Sequence, residues 1–172
     1  MKISVKETAI FSMLGTLMYG SKLIMEMLPN IHLIGVLTIA FTLVYRKKAL
    51  YPIYIFVFLT GLFGGFNLWW VPYLYIWTIL WGITMLLPKS MPKKVAPIVY
   101  MLICGVHGFA YGALYAPAQA LMFGLGFDGM VTWIIAGIPF DLIHGVSNLL
   151  CGILIVPVTL LLKKADKAAR QQ

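Results

Sequence analysis

Long apolar stretches alternate with short basic clusters, and this alternation restricts the possible folds more than any other feature of the chain. Lys2 and Lys6, then Arg46, Lys47 and Lys48, then Lys89, Lys93 and Lys94, and finally Lys163, Lys164, Lys167 and Arg170 make up all but one of the 13 basic residues. The residues between them raise the apolar share of the 172-residue chain to 62%, with only 10% charged. An ordinary soluble domain is roughly 45–50% apolar and about 25% charged. A single small core cannot hide that much apolar surface, and a disordered chain needs the opposite composition. The solvent that fits is a bilayer. The net charge of +8 invites a nucleic-acid reading. The placement of the charges, at the ends of apolar runs, assigns them to membrane topology instead.

A transmembrane helix needs about 20 mostly apolar residues. Six stretches qualify as spans of an all-α integral membrane protein, a single domain over residues 1–172: about 8–28, 31–45, 49–66, 72–87, 97–117 and 139–162. The run from 130 to 162 is too long for one span, and Gly137-Ile138-Pro139 offers a break, because proline suits a first helical turn. The sixth span therefore starts at Pro139, and residues 118–138 are expected as an apolar connector, interrupted by Gly124, Gly126 and Gly129. Basic residues then fall on alternate connections and on both tails. Positive charge stays in the cytoplasm, so six spans with both termini inside are expected. Trp69, Trp70, Tyr73 and Tyr75, on the opposite side, read as an interfacial aromatic belt. The N-terminus carries no small-residue cleavage signal and reads as the start of the mature protein.

Ionisable groups inside spans are costly and face a partner or a cavity. Lys22 and Glu26 lie four residues apart on one helix face, near the outer end of the first span. Asp141, His144 and Asn148 share a face of the sixth span. His107, Tyr111 and Tyr115 repeat at four-residue intervals on the fifth, rising from mid-membrane outward. These eight residues are the candidate substrate-binding set. All but His107 belong to the outer half, which predicts an outward-facing polar cup over an apolar floor. A channel needs polar groups through its full depth.

A second pattern lies on the first span, where Ser4, Thr8, Ser12, Thr16 and Gly20 recur every four residues. Small residues at that spacing let another helix come close, within the bundle or in a separate subunit. Cys104 and Cys151 have neither metal nor disulfide-framework spacing. No catalytic residue, metal ligand or bound cofactor is assigned, and no phosphate-cradling Gly-x-x-x-x-Gly-Lys-Ser/Thr stretch occurs. Three other readings stay open. They are a stand-alone secondary transporter or channel, a membrane subunit without a ligand, and an intramembrane enzyme using Asp141, His144 and Ser147.

The segment Gly137-Ile-Pro-Phe-Asp-Leu-Ile-His-Gly-Val-Ser-Asn148, with six spans and an outer cup, resembles the substrate-binding S component of energy-coupling factor (ECF) transporters. The resemblance implies a multi-pass protein of a bacterial cell membrane that captures a vitamin at its outer face. It also implies partners: a transmembrane coupling subunit and two cytoplasmic ATPases that use the ATP, so that the chain itself is not an enzyme. The family docks its coupling subunit on a row of small residues on the first helix. Thr8, Ser12, Thr16 and Gly20 occupy that row here, although the family's alanines do not. Cobalamin is the first ligand expected from the family. A riboflavin-, thiamine- or pyridoxine-like compound or a modified nucleobase stays open.

Overall fold

The computed structural model describes residues 3–28 and 30–171, whose regular elements are all helices joined by short turns, without strands among the described residues. Lys2 and the Pro29 end of the first stretch lie outside the described residues, as does the side chain of Arg170. Helix α1 is Val5–Ile24, α2 is Ile34–Tyr45, α3 is Leu50–Gly64 and α4 is Tyr73–Leu86. Helix α5 is Ala96–Phe109, α6 is Tyr111–Phe123, α7 is Phe127–Cys151 and α8 is Ile155–Gln171.

The first four stretches are helices close to the expected places. The boundaries follow from local chemistry. Ser4 caps α1 in a reciprocal box: its hydroxyl accepts from the Glu7 amide, and the Glu7 carboxylate accepts from the Ser4 amide. Gly124, at φ 64°, ends α6 in the left-handed conformation that glycine adopts freely.

The last two stretches differ from expectation. The fifth breaks at Ala110 into α5 and α6, and its helical part continues past 117 to Phe123. Pro139 does not start a helix. It lies inside α7, which runs unbroken from Phe127. The expected connector 118–138 is therefore a helical hairpin, the end of α6 and the start of α7, turned at Gly124-Leu125-Gly126. Pro139 is on the exposed side of α7, and the helix continues through it despite the hydrogen bond that proline cannot donate. The two long runs, Ala96–Phe123 and Phe127–Ala169, are long and apolar enough to cross a membrane. At the helical rise, α5 with α6 reaches about 42 Å, past a hydrocarbon core of about 30 Å.

Helix α7 is inside-out by the standards of a soluble protein. Its buried side carries His144, Gly145, Ser147 and Asn148, whereas Leu142, Ile143, Val146 and Leu150 are 48–65% exposed. Glycines make this inward face possible. A methyl group on Gly108 of α5 would lie 2.8 Å from both the Gly145 Cα and the His144 carbonyl oxygen, so α5 and α7 touch backbone to backbone. Gly15 does the same for α1 against Pro52 and Ile55 of α3.

Charge gathers at one end of the bundle. Lys48 pairs with Glu7 at the start of α1, and Arg46 donates to the Met85 carbonyl near the end of α4 at 2.9 Å. Ile10 and Met13 of α1 share a crevice with Asp166 and Ala169 of α8. Four of the buried threonines are internally satisfied: Thr42, Thr60, Thr84 and Thr159 each donate to the carbonyl four residues earlier, whereas the buried Thr38 hydroxyl has no partner among the described residues.

Candidate functional site

At the end opposite the basic clusters, α6, α7 and the α1–α2 turn line an open cavity of about 480 Å³. Tyr111, Tyr115 and Gln119 line it from α6. Trp133, Phe140, Asp141 and His144 line it from α7. Asn30 closes it from the turn, held in a left-handed conformation at φ 60° that asparagine tolerates. The Ser147 hydroxyl fixes that turn by donating to the Asn30 carbonyl at 3.0 Å.

The aromatic walls are built from hydrogen-bonded phenols. Tyr115 donates to the Trp69 carbonyl, and Tyr75 donates to the Leu114 carbonyl at 2.7 Å, so α6 is clamped to α4 and the loop before it. Tyr115 also stacks on Trp133, with ring planes within 13°. The expected aromatic belt is thus partly internal. Trp70 donates to the Val57 carbonyl at 2.8 Å, and Trp69 and Tyr73 meet edge to face.

Beneath the cavity lies a nest of rings centred on Trp77, which is 1% exposed. Trp77 touches His32, His107, Tyr111, Tyr73 and Phe56 at centroid distances of 5.6–6.1 Å. His144 joins the nest to the cavity, with Tyr111 and His32 each 4.7 Å away. His107 Nε2 bonds the Ile76 carbonyl at 3.2 Å. His144 Nε2, His107 Nδ1, the Trp77 indole nitrogen and the Asn148 amide are buried with no hydrogen-bond partner among the described residues. Each such group costs about 1–3 kcal/mol, so this concentration marks the region as shaped for something besides packing. Among the described residues no group of three or more His, Cys, Asp or Glu side chains is disposed to hold a metal ion.

The structure sorts the eight sequence candidates into three groups. Tyr111, Tyr115, Asp141 and His144 line one cavity. His107 and Asn148 lie below it, buried, and do not reach its surface. Lys22 and Glu26 pair with each other at 3.6 Å and line a separate small crevice with His32, which Asn30 alone shares with the main cavity.

Asp141 has a structural task as well. Both of its carboxylate oxygens accept from the Gly112 amide at 3.0 Å, capping the first turn of α6. A methyl group on Gly112 would lie 2.3 Å from that carboxylate. Two of the three side chains of a conceivable triad are engaged elsewhere: Asp141 accepts from Gly112, and Ser147 donates to the carbonyls of Asn30 and His144.

Sequence reasoning missed His32, Trp77, Trp133, Gln119 and Asn30. One signal was available for His32, the third histidine of a chain that has only three and the one placed just after the Pro29-Asn30 turn. On α1, the row Thr8, Ser12 and Thr16 faces outward, and a methyl group on Gly20 would meet nothing within 4 Å. This row therefore does not pack within the bundle, where Phe11, Gly15 and Met18 make the contacts.

Compared with protein-family models, with curated proteins and with solved structures, the chain matches none.

Proposed function

We propose that this chain is a six-span membrane protein, with both termini in the cytoplasm, that captures a small, flat heteroaromatic vitamin from the outside. In this reading it is the substrate-binding S component of an ATP-driven ECF-type importer. One observation carries it: an aromatic-lined cavity with inward-facing polar groups occupies the end of the bundle opposite the basic clusters. Positive charge marks the cytoplasmic end, which turns the cavity outward. The inside-out face of α7 supports a lipid surround, since its apolar side chains are exposed and its polar ones are buried.

The cavity's volume of about 480 Å³ favours a ligand of ordinary vitamin size over a corrinoid, which is far larger. Tyr111, Tyr115 and Trp133 offer ring faces, and His144 and Gln119 offer polar edges to fix orientation. Asp141 is held in place by the Gly112 amide, and Lys22 and Glu26 pair with each other in the other crevice. The outward small-residue row on α1 is the face assigned to the coupling subunit, and ATP hydrolysis belongs to partner ATPases.

The test is extraction in mild detergent, then denaturation and mass spectrometry of any released small molecule, followed by titration with the compound found. Trp133→Ala and Tyr111→Ala are expected to weaken binding about tenfold each. Lys22→Ala is expected to change it by less than about twofold, since that residue lines the other crevice. Ion flux through the chain alone in sealed vesicles would overturn the reading.

A further inference from the structure

The basic end of the bundle has a cavity of its own, about 440 Å³, between α2, the α4–α5 loop, α5 and α8. Its walls are apolar: Leu43, Tyr100 and Leu160 line it, and the Thr159 hydroxyl in it donates to the Ile155 carbonyl. Three lysines stand over those walls. Lys89 and Lys93 come from the loop and Lys163 from α8, and no acidic residue lines the cavity. The Lys22–Glu26 and Lys48–Glu7 ion pairs involve none of these three. Lys163 is also the residue at which α8 passes from Leu160-Leu161-Leu162 into its basic segment. The cavity therefore straddles the level where lipid chains give way to headgroups.

We propose that this cavity binds an anionic phospholipid of the cytoplasmic leaflet, its phosphate held by Lys89, Lys93 and Lys163 and an acyl chain lying against Leu43 and Leu160. Lysines of one sign, drawn from two separate elements, suit a phosphodiester better than a neutral ligand, and an apolar wall directly below suits an amphiphile better than a free anion. The inference rests on the chain spanning a bilayer and is independent of what the opposite cavity binds.

The test uses the full chain in nanodiscs and in detergent, with native mass spectrometry counting retained phosphatidylglycerol against phosphatidylcholine. Wild type is expected to prefer phosphatidylglycerol about a hundredfold, from three lysines near one phosphate. The triple change Lys89→Gln, Lys93→Gln, Lys163→Gln is expected to abolish that preference. The equal-charge control Lys47→Gln, Lys164→Gln, Lys167→Gln is expected to keep it within about twofold. Leu160→Trp, which fills the apolar wall and leaves every charge in place, is expected to weaken retention too, so the inference does not depend on the triple variant folding. Equal retention of phosphatidylcholine, or an equal loss in the control, overturns the proposal. Displacement of the lipid by millimolar inorganic phosphate also overturns it, by assigning the lysines to a soluble anion.

Discussion

Two rows of small residues run along this molecule, and they do opposite things. On α1, Thr8, Ser12 and Thr16 face outward, and Gly20 has open space beside it. On α5 and α6, Gly105, Gly108 and Gly112 face inward, against Leu149, Gly145 and Asp141 of α7. Both rows repeat at three- or four-residue spacing, so spacing alone says only that close approach is possible. What separates them is the opposing surface. The inner row meets a helix whose own contact residue is Gly145, and the two backbones touch. The outer row borders Met13 and Leu17, which are themselves exposed.

The comparison breaks most sharply at Gly108. An added methyl group there meets backbone atoms of α7, which have no rotamer to escape into. Gly108→Ala is expected to destabilise the fold by about 3 kcal/mol, read as a lowered unfolding temperature in detergent. Next comes Gly112→Ala. Its methyl group is expected to push the Asp141 carboxylate off the Gly112 amide and into the cavity that it lines. A loss of about 2 kcal/mol is expected, from a charge-assisted hydrogen bond, together with weakened ligand binding. Asp141→Asn keeps an acceptor oxygen and is expected to lose only about half as much. Equal losses in the two variants would show that the Gly112 contact is incidental.

Much of this architecture is written in the hydropathy pattern. Arg46-Lys47-Lys48 and Lys89 to Lys94 do separate helices, α2 from α3 and α4 from α5, as the pattern of apolar runs alone predicts, whereas α8 continues through Lys163, Lys164 and Lys167 to Gln171. The shared face of Asp141, His144 and Asn148 was legible for the same reason, since helical spacing alone aligns them. The depth of each residue along that face was not. His144 reaches the cavity whereas Asn148 lies beneath it, because α7 crosses α5 at Gly108 and Gly145, and the crossing point depends on both helices. Pro139 misled for a related reason. Proline removes one hydrogen bond and crowds the carbonyl four residues earlier, which can end a helix or only interrupt its ladder, and sequence does not show which. Trp77 and His32 come together from α4 and the α1–α2 turn, a long-range contact that no local pattern encodes.

The outer row gives the smaller effects. Gly20→Ala is expected to raise stability by about 0.5–1 kcal/mol, because alanine favours the helix and its methyl group meets nothing. A loss in place of that gain would mean that another surface already covers Gly20.

Thr16→Leu is expected to have the smallest effect on the isolated chain and carries the most information about its partners. The residue is exposed, so its unfolding temperature in detergent should move by no more than about 0.5 kcal/mol equivalent. If α1 seats a coupling subunit, the added bulk separates two helices that otherwise approach closely. Co-purification of membrane and ATPase partners should then fall while the detergent-extracted chain still binds its ligand. Loss of ligand binding with partners retained would assign this face to the bundle's own integrity, and the contrast between the two rows would disappear.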